Sequence, residues 1–422
     1  MRDLGLASDS VFVAPKTDVK RFADDMAQTG MEETKLRVEP PSALSRPLKI
    51  PERSLMGPGP SNCSPRVLRA LSNQVLGHLH PETCQLMDEI KEGLRYAFQT
   101  RNSLTLAISG SGHAGMEACL GNLLEPGETV LIAKCGIWGE RATDMATRLG
   151  ARVEWLLTKM GVPFTLEELE SAVKKYRPAV VFVVHGESST GMKQPLQGLG
   201  EIVHRYGGLL VVDAVASLGG EPFFMDAWSI DAAYTGSQKV LGAPAGITPV
   251  SFSNRARSKI FSRKTKVPVY YWDVTLLADY WGCSGNSRIY HHTISATLVY
   301  GLREALAILA EEGLEACWRR HAAVKKQIER ALLQRKLQFY IANPEHRLAT
   351  VIAIKVPLGV DAKVVSRVAV EKFEVELSGG LGPTLGQIFR IGLMGTNATP
   401  RHVDLVVKAL DEGLKFATSH KL

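Results

Sequence analysis

The chain has 422 residues, of which 45% are hydrophobic and 22% charged, a composition that lets a globular protein bury a large core. No apolar run approaches the roughly 18–20 residues that a membrane-spanning helix needs, so we expect no such helix and no membrane partner. The net charge of +7 raises the question of nucleic-acid binding. The most basic stretch, 255–266, has no helix-turn-helix or zinc-finger spacing, which favours a solvated basic face or a funnel for small anions over a nucleic-acid partner.

The first 30 residues differ in composition from the rest of the chain. We predict that they form a poorly structured N-terminal extension. They carry five aspartates against four Arg or Lys residues, whereas a mitochondrial transit peptide should be basic and poor in acids. A proline-containing arm follows over residues 31–52. It leads into Met56-Gly-Pro-Gly-Pro-Ser61, which is too rich in Gly and Pro for a helix or a strand interior.

From residue 104 onward, short apolar runs alternate with amphipathic stretches. Continuous apolar runs are typical of parallel strands covered on both faces, and they occupy 104–108, 129–133, 179–184 and 209–212. Helical periodicity lies between them, for example at Leu166, Leu169 and Val173. This alternation predicts an α/β fold with a doubly wound sheet. The C-terminal part predicts a smaller α+β domain, with a long helical stretch over 293–335, a strand at 350–356, and helices at 361–372 and 400–417.

The segment Thr235-Gly-Ser-Gln-Lys239 carries the strongest chemical signal. Small residues beside a lysine just past a strand allow the amine to approach a flat cofactor, and such an amine can form a Schiff base with an aldehyde. A surface lysine in a loop is the competing interpretation. The following Gly242-Ala-Pro-Ala-Gly246 is equally free of bulk, which favours the cofactor site.

An acid stands at the end of the apolar run 209–212, where open α/β sheets place their ligands. Asp213 in that position can keep a pyridine nitrogen protonated and so preserve the ring as an electron sink. An N-cap role is the alternative. Because Asp213 and Lys239 both follow strands and are joined by a short crossover, we favour a shared site.

The segment Ser109-Gly-Ser-Gly-His-Ala-Gly115 follows an apolar strand and opens a helix, so its backbone N–H groups would face an anion. It also matches Gly-x-Gly-x-x-Gly, the pattern of dinucleotide sites. Those sites need an acid at the end of the next strand, and here that strand runs into Lys134 and Cys135. The segment therefore predicts a phosphate-binding loop and disfavours a nicotinamide site.

Other candidates are weaker when taken alone. Trp138 could stack on an aromatic cofactor, although a lone Trp is more often a core or interface residue. Arg390 could hold a substrate carboxylate through two hydrogen bonds, with a surface ion pair as the alternative. The adjacent His291-His292 has no Glu-x-x-His companion, so we expect no metal site.

Together these segments resemble the class V aminotransferases of pyridoxal-phosphate fold type I, and most closely the alanine–glyoxylate (serine–pyruvate) group. The resemblance covers about residues 40–422. It is carried by Leu-Met-Gly-Pro-Gly-Pro-Ser-Asn at 55–62, Ser-Gly-Ser-Gly-His at 109–113, His-Gly-Glu-Ser-Ser-Thr-Gly at 185–191, Val-Asp-Ala-Val-Ala-Ser at 212–217, Gly-Ser-Gln-Lys at 236–239, Tyr-His-His-Thr at 290–293 and Gly-Gly-Leu-Gly-Pro at 379–383.

The resemblance implies a large domain over 53–312, with a mostly parallel seven-stranded sheet and helices on both faces, and a small α+β domain over 313–422. It makes Lys239 the Schiff-base lysine and proton carrier, and Asp213 the partner of the pyridinium nitrogen. The implied cofactor, pyridoxal 5′-phosphate, would also contact Ser111, Gly112, His113, Trp138, Ser188, Val215 and Gln238. Arg390, Gly57 and Ser188 would bind the substrate.

The resemblance also implies a homodimer with shared active sites, in which the arm 31–52 contacts the partner subunit. Tyr290 and Thr293 would reach the phosphate of the neighbouring subunit. The end of the chain, Ser419-His-Lys-Leu422, is similar to the Ser-Lys-Leu peroxisomal address, apart from its histidine. We therefore expect a peroxisomal import receptor as a partner, with the mitochondrion or cytosol as alternative locations.

The implied reaction is a ping-pong transfer of nitrogen from alanine or serine to glyoxylate, which yields glycine and pyruvate or hydroxypyruvate. Transamination of 3-hydroxykynurenine is an alternative, because stretches such as 234–244 read much like the insect transaminases of that substrate. A cysteine desulfurase-like lyase is a weaker alternative. It needs a mobile Cys and usually a His over the ring, where this chain has Trp138.

Overall fold

A computed structural model describes residues 38–419 of the chain. Residues 38–51 are exposed and contain a short 3-10 helix at Ser42–Ser45. The predicted extension over 1–30, residues 31–37 of the predicted arm and the terminal His-Lys-Leu at 420–422 lie outside the described residues. The statements made about them above stay predictions.

The described chain alternates strands and helices over most of its length. The strands are β1 (Ser54–Leu55), β2 (Leu104–Ser109), β3 (Thr129–Lys134), β4 (Arg152–Leu157), β5 (Val180–Val184), β6 (Gly186–Glu187), β7 (Met192–Lys193), β8 (Leu209–Asp213), β9 (Ala232–Tyr234), β10 (Ile247–Phe252), β11 (Val351–Lys355), β12 (Val375–Glu376), β13 (Ser378–Gly379) and β14 (Ile388–Gly392). The helices are α1 (Pro65–Leu71), α2 (Pro81–Phe98), α3 (Gly112–Leu123), α4 (Ile137–Arg148), α5 (Leu166–Tyr176), α6 (Leu199–Arg205), α7 (Asn254–Phe261), α8 (Val274–Tyr280), α9 (Ala296–Glu312), α10 (Leu314–Gln334), α11 (Ala362–Phe373) and α12 (Pro400–Ser419). Between residues 38 and 419, none of these helices combines the length and the apolar character that crossing a bilayer would require.

A seven-stranded sheet organises the larger part of the fold, with the order β2-β10-β9-β8-β5-β3-β4. Only β10 runs against its neighbours, so the predicted α/β fold with a mostly parallel sheet is confirmed. The central strands β5 and β8 are buried along their whole length, as their continuous Val and Leu runs require. The carboxyl ends of β2, β3, β5, β8 and β9 consequently meet at one edge, where a ligand site is expected.

A second apolar core lies around the three-stranded sheet β11-β14-β13 and the helices α11 and α12. Helix α10 contributes to both cores. Leu314 and Cys317 belong to the first, whereas Val324, Ile328 and Leu332 belong to the second. The division into domains at residues 312 and 313 stays a prediction.

The prediction of one long helical stretch over 293–335 is wrong in one respect. The chain forms two helices there, α9 and α10. Gly313 separates them with φ +83° and ψ +138°, a conformation that side-chain-bearing residues rarely adopt. The apolar periodicity continues on both sides of Gly313, which is why the pattern alone did not reveal the break.

We expect Gly313→Ala to lower the free energy of unfolding by about 1–3 kcal/mol, because alanine must adopt the strained backbone of Gly313. A Cβ at this position meets no atom within 4 Å, so the cost arises from φ rather than from a clash. The measurement is thermal unfolding. Gly379→Ala is the matched control, since Gly379 has equally open space without a positive φ. Equal melting temperatures for the two variants would contradict the backbone explanation.

Candidate active site

A cavity at the carboxyl edge of the large sheet brings together nine of the predicted site residues. Its lining consists of Ser111, Gly112, His113, Met116, Trp138, Gly186, Ser188, Asp213, Val215, Ala216, Gln238 and Lys239. These residues follow five different strands, which shows how widely spaced sequence segments meet at one edge of a doubly wound sheet.

Asp213 ends β8 and is buried, with 3% of its surface exposed. Its Oδ1 accepts a hydrogen bond from the Val215 N–H at 2.8 Å, and its Oδ2 accepts one from the Tyr234 hydroxyl at 2.6 Å. Burial raises the pKa of Asp213 to about 6, although these two donors and the nearby Lys239 favour the anion. The carboxylate is thus an anion near neutral pH that faces the cavity with most of its hydration removed.

The Lys239 amine stands in the same cavity and donates to the Pro58 carbonyl oxygen. Burial lowers the pKa of Lys239 to about 8, a shift that Arg390 assists and Asp213 opposes. A large fraction of this amine is therefore neutral at mildly alkaline pH, as a nucleophile and proton carrier requires. Gly59 has φ +108°, and a Cβ there would lie 2.4 Å from Nζ, so both the backbone conformation and the approach of Lys239 favour glycine at this position.

The loop between β2 and α3 lines another part of the cavity. Helix α3 begins at Gly112, and its N-cap residue Ser111 makes no side-chain capping hydrogen bond. The first N–H groups of this 12-residue helix are therefore directed at the cavity without a side chain to neutralise them. This arrangement suits a phosphate group.

Trp138, in the first turn of α4, donates from its Nε1 to Ser188 Oγ over 2.9 Å. Its ring meets the His113 ring edge to face, with centroids 5.7 Å apart. Because Ser188 Oγ accepts a hydrogen bond from the indole N–H, the Ser188 hydroxyl can donate its own hydrogen bond to a ligand in the cavity. The two residues thus orient each other around one side of the site.

Arg390 and Gly57 border the cavity without lining it. Arg390 on β14 is buried and donates from Nε to the Gly379 oxygen at 2.8 Å and from Nη1 to the Ser188 oxygen at 3.2 Å. Gly57 lies against Ser378, whose Oγ would be 2.4 Å from an added Cβ. Arg390 therefore lies beside Ser188, and Gly57 directly precedes Pro58, whose oxygen contacts Lys239.

Tyr290 and Thr293 lie apart from this cavity, on the loop before α9. Both are exposed, Tyr290 by 48%, and their hydroxyl groups are 3.0 Å apart. They are not among the residues that line the cavity of their own chain. Their predicted contact with a neighbouring subunit stays a prediction.

The sequence analysis did not predict the lining residues Met116, Gly186 and Ala216, nor three polar contributors that lie behind the lining. Tyr234 reaches Asp213 because the two residues are register partners on adjacent strands, which only the pairing of β8 with β9 reveals. Glu187 is fully buried, accepts hydrogen bonds from the Ser189 N–H and Oγ, and has its pKa raised by burial to about 7. Pro58 acts through its carbonyl oxygen, for which the sequence carries no signal.

Comparison with known proteins identifies the family. The class V aminotransferase model matches residues 55–404. The chain belongs to the class V aminotransferases. The alanine–glyoxylate aminotransferase of Drosophila melanogaster is 54% identical over 381 residues, which cover 90% of this chain and 97% of that protein.

Two solved aminotransferase structures share the fold over most of the chain. The alanine–glyoxylate aminotransferase from Nostoc sp. has a TM-score of 0.85 at 46% identity, and the match covers 87% of this chain and 97% of that one. The ureidoglycine–glyoxylate aminotransferase from Bacillus subtilis has a TM-score of 0.86 at 35% identity, with 89% and 96% covered. The fold is thus that of pyridoxal-phosphate enzymes of fold type I, and the cofactor of this aminotransferase is pyridoxal phosphate.

The cavity residues of this class V aminotransferase fit that cofactor. The N-terminus of α3 offers uncapped N–H groups to the phosphate, and the buried Asp213 carboxylate suits a protonated ring nitrogen. The partly neutral amine of Lys239 suits an aldehyde. These three groups line one cavity, so a single molecule can meet all of them.

Proposed function

We propose that this enzyme transfers the amino group of alanine or serine to glyoxylate, giving glycine and pyruvate or hydroxypyruvate in two half-reactions. The observation that carries the proposal is the close approach of Pro58 and Gly59 to the active-site lysine: the Pro58 oxygen accepts a hydrogen bond from Nζ, and a Cβ on Gly59 would lie 2.4 Å from Nζ. Such a crowded site suits small substrates. The relatives named alanine–glyoxylate aminotransferase, at about half identity over nearly the whole chain, support the same choice.

Lys239 carries the proton that moves in each half-reaction. Pyridoxal phosphate, when bound, supplies an aldehyde that combines with amines and a ring that withdraws electrons from the bond broken at the substrate α-carbon. Lys239 would hold the cofactor through its Nζ and would serve as the base for the substrate α-proton, since a pKa of about 8 suits a group that both accepts and returns a proton. The Pro58 carbonyl oxygen accepts a hydrogen bond from Nζ and limits where the amine can point.

Asp213 and Arg390 supply the two fixed charges of the proposed mechanism. The Asp213 anion favours a protonated ring nitrogen through electrostatics, without itself transferring a proton. The guanidinium of Arg390 suits the carboxylate that amino-acid and oxo-acid substrates share. Two of its nitrogens already donate hydrogen bonds to backbone oxygens. The orientation of the guanidinium is therefore fixed before a substrate binds.

We expect Arg390→Lys to raise KM for both alanine and glyoxylate about tenfold to hundredfold, with a smaller change in kcat. The reason is that lysine cannot form the paired hydrogen bonds of a guanidinium with a carboxylate. Steady-state kinetics with each substrate varied in turn provides the measurement. Arg367→Lys, at an exposed position on α11, is the control and should leave both KM values unchanged. An unchanged KM in Arg390→Lys would remove Arg390 from the substrate site.

A panel of amino donors tests the proposed substrates. Alanine, serine and 3-hydroxykynurenine are each offered with glyoxylate as acceptor, and glycine formation is followed. We expect alanine or serine to give the highest kcat/KM. A clear preference for 3-hydroxykynurenine would overturn the proposed donor and favour the alternative transaminase.

A cysteine desulfurase-like reaction receives no support from the site. It needs a reactive thiolate, and the two cysteines that interact electrostatically with site carboxylates, Cys119 and Cys135, are both buried. Burial raises the pKa of each thiol, with a further increase from Asp213 at Cys119 and from Glu187 at Cys135, so neither forms a thiolate readily.

We further propose that the enzyme is a homodimer in which Tyr290 and Thr293 contribute to the active site of the partner subunit. Two side chains support this. Tyr290 and Ile289 are exposed by 48% and 61%, although aromatic and aliphatic side chains of this size are more stable when covered. Analytical ultracentrifugation should give about twice the mass of one chain, and a monomer with full activity would contradict shared active sites.

We also propose import into peroxisomes through a receptor that reads the terminal Ser-His-Lys-Leu, which is similar to Ser-Lys-Leu. Imaging of the protein with a fluorescent tag on either end tests this. A tag at the C-terminus should abolish peroxisomal import, whereas a tag at the N-terminus should not.

A further inference from the structure

A chain of hydrogen bonds leads from the phosphate-binding loop into the adjacent histidines 291 and 292. Ser109 Oγ, at the end of β2, lies 2.6 Å from His292 Nε2. His292 Nδ1 lies 2.8 Å from His291 Nδ1, and His291 Nε2 lies 3.1 Å from the Tyr270 carbonyl oxygen. The two imidazole rings thus connect a loop of the active site with the segment before α8.

The direction of every hydrogen bond in this chain can be assigned. A carbonyl oxygen only accepts, so His291 Nε2 carries the proton that is donated to Tyr270. If His291 also carried a proton on Nδ1, it would be a buried cation, and none of its recorded contacts among the described residues is acidic. His291 Nδ1 is therefore an acceptor, and His292 Nδ1 donates a hydrogen bond to it. His292 Nε2 in turn accepts a hydrogen bond from the Ser109 hydroxyl.

The surroundings hold both rings in place. His291 stacks on the Tyr270 ring with centroids 4.8 Å apart and planes inclined by 10°. His292 contacts the rings of Tyr271 and Tyr280, at 4.8 and 5.5 Å. Burial, with a smaller effect of His291, lowers the pKa of His292 to about 4, so this ring is neutral under physiological conditions. A neutral ring has one free lone pair to offer, and here it faces Ser109.

The other side of the loop is fixed through the backbone. Gly110 N–H donates to the Gly246 oxygen at 2.9 Å, and Thr248 Oγ1 donates to the Gly110 oxygen at 2.9 Å. Gly110 has φ +136°, which glycine alone adopts easily. Both anchors come from the start of β10, so the Ser109–His292 bond is a separate support from a different part of the chain.

We propose that His292, held in one tautomer by His291, is a positioning residue for the phosphate-binding loop. By accepting a hydrogen bond from the Ser109 hydroxyl, it fixes the loop independently of the β10 contacts and keeps the first N–H groups of α3 directed at the cofactor phosphate. The proposal rests on the proposed function in one respect, the assignment of Ser111, Gly112 and His113 to the phosphate.

The test compares three ligands on the apoenzyme: pyridoxal phosphate, pyridoxal, which lacks the phosphate, and inorganic phosphate as a competitor. Ser109→Ala and His292→Asn each remove the bond between loop and ring, since the shorter asparagine amide reaches only towards the Nδ1 position. His292→Gln is the conservative control, because its amide reaches the position of Nε2. Thermal unfolding establishes that each variant is folded.

We expect Ser109→Ala and His292→Asn to weaken the binding of pyridoxal phosphate and of phosphate about threefold to tenfold, the usual effect of one hydrogen bond. Pyridoxal should bind them as it binds the wild type, and His292→Gln should recover most of the loss. The double variant should be no worse than either single variant, because both changes remove the same bond.

Two results would overturn the positioning role of His292. One is an equal loss for pyridoxal and pyridoxal phosphate, which indicates general damage to the site. The other is that Ser109→Ala and His292→Asn both bind pyridoxal phosphate as tightly as the wild type does, while the wild type binds pyridoxal phosphate more tightly than pyridoxal. A wild type that binds pyridoxal and pyridoxal phosphate equally would instead refute the phosphate assignment in the proposed function.

Discussion

Lys239→Ala should lower turnover by at least about 10³-fold, because it removes the amine that we propose bonds the cofactor aldehyde and acts as the base for the substrate α-proton. No second lysine lines the cavity among the described residues, so no other amine can replace it. The visible absorbance of the cofactor bound to the wild type should also be lost or shifted. Steady-state kinetics and an absorption spectrum provide the two measurements.

The control for this variant is Lys355→Ala, which removes an exposed lysine at the end of β11 and should change neither activity nor spectrum. Borohydride reduction followed by peptide mapping adds an independent observation, since it should place the cofactor on Lys239 in the wild type. Activity within tenfold of the wild type in Lys239→Ala, or a reduced cofactor on another lysine, would refute the assignment.

Asp213→Asn should lower kcat about 10²-fold to 10³-fold, the usual cost of removing a preorganised electrostatic partner from an active site. The same substitution should make the apoenzyme more stable. Burial raises the pKa of Asp213 from its ordinary 3.8 to about 6, so folding disfavours its ionised form. The cost of burying the charge is on the order of 3 kcal/mol above pH 6 and disappears below pH 3.8.

Thermal unfolding of apoenzymes across pH measures this second effect. The melting temperature of Asp213→Asn should exceed that of the wild type at pH 8, and the difference should shrink as the pH falls from 6 towards 4. Asp404→Asn, at an exposed position of α12, is the control for loss of one carboxylate. A variant that is less stable than the wild type at pH 8 would show that the Asp213 hydrogen bonds outweigh the cost of its charge.

The sequence predicts the fold class because the signals it depends on are local. Val180–Val184 and Leu209–Asp213 are uniformly buried strands, and their unbroken apolar runs are enough to identify parallel strands covered on both faces. The break at Gly313 is different, because an isolated glycine in a helical pattern is often tolerated. Its positive φ depends on how α9 and α10 pack, and a one-dimensional pattern does not contain that information.

The same distinction applies to the site. Lys239 and Asp213 were recognisable because each stands in a distinctive segment beside a strand. Tyr234 lies within an apolar run and resembles any buried aromatic residue until the register of β8 and β9 brings it to Asp213. His291 and His292 are adjacent in the sequence, but the contact of His292 with Ser109 spans 183 positions of the chain and cannot be deduced from spacing.

The position of β2 at the edge of the sheet determines when the cofactor site can form. This strand pairs only with β10, whose residues 247–252 are synthesised roughly 140 positions later, and the two backbone anchors of Gly110 come from the same late segment. The loop proposed to bind the phosphate therefore cannot take its final shape before β10 has been synthesised. The vitamin-derived cofactor stabilises only the completed fold, by mass action that amounts to about 2.7 kcal/mol at a hundredfold excess over its Kd. A shortage of the cofactor in the cell would therefore lower the amount of folded enzyme as well as its activity.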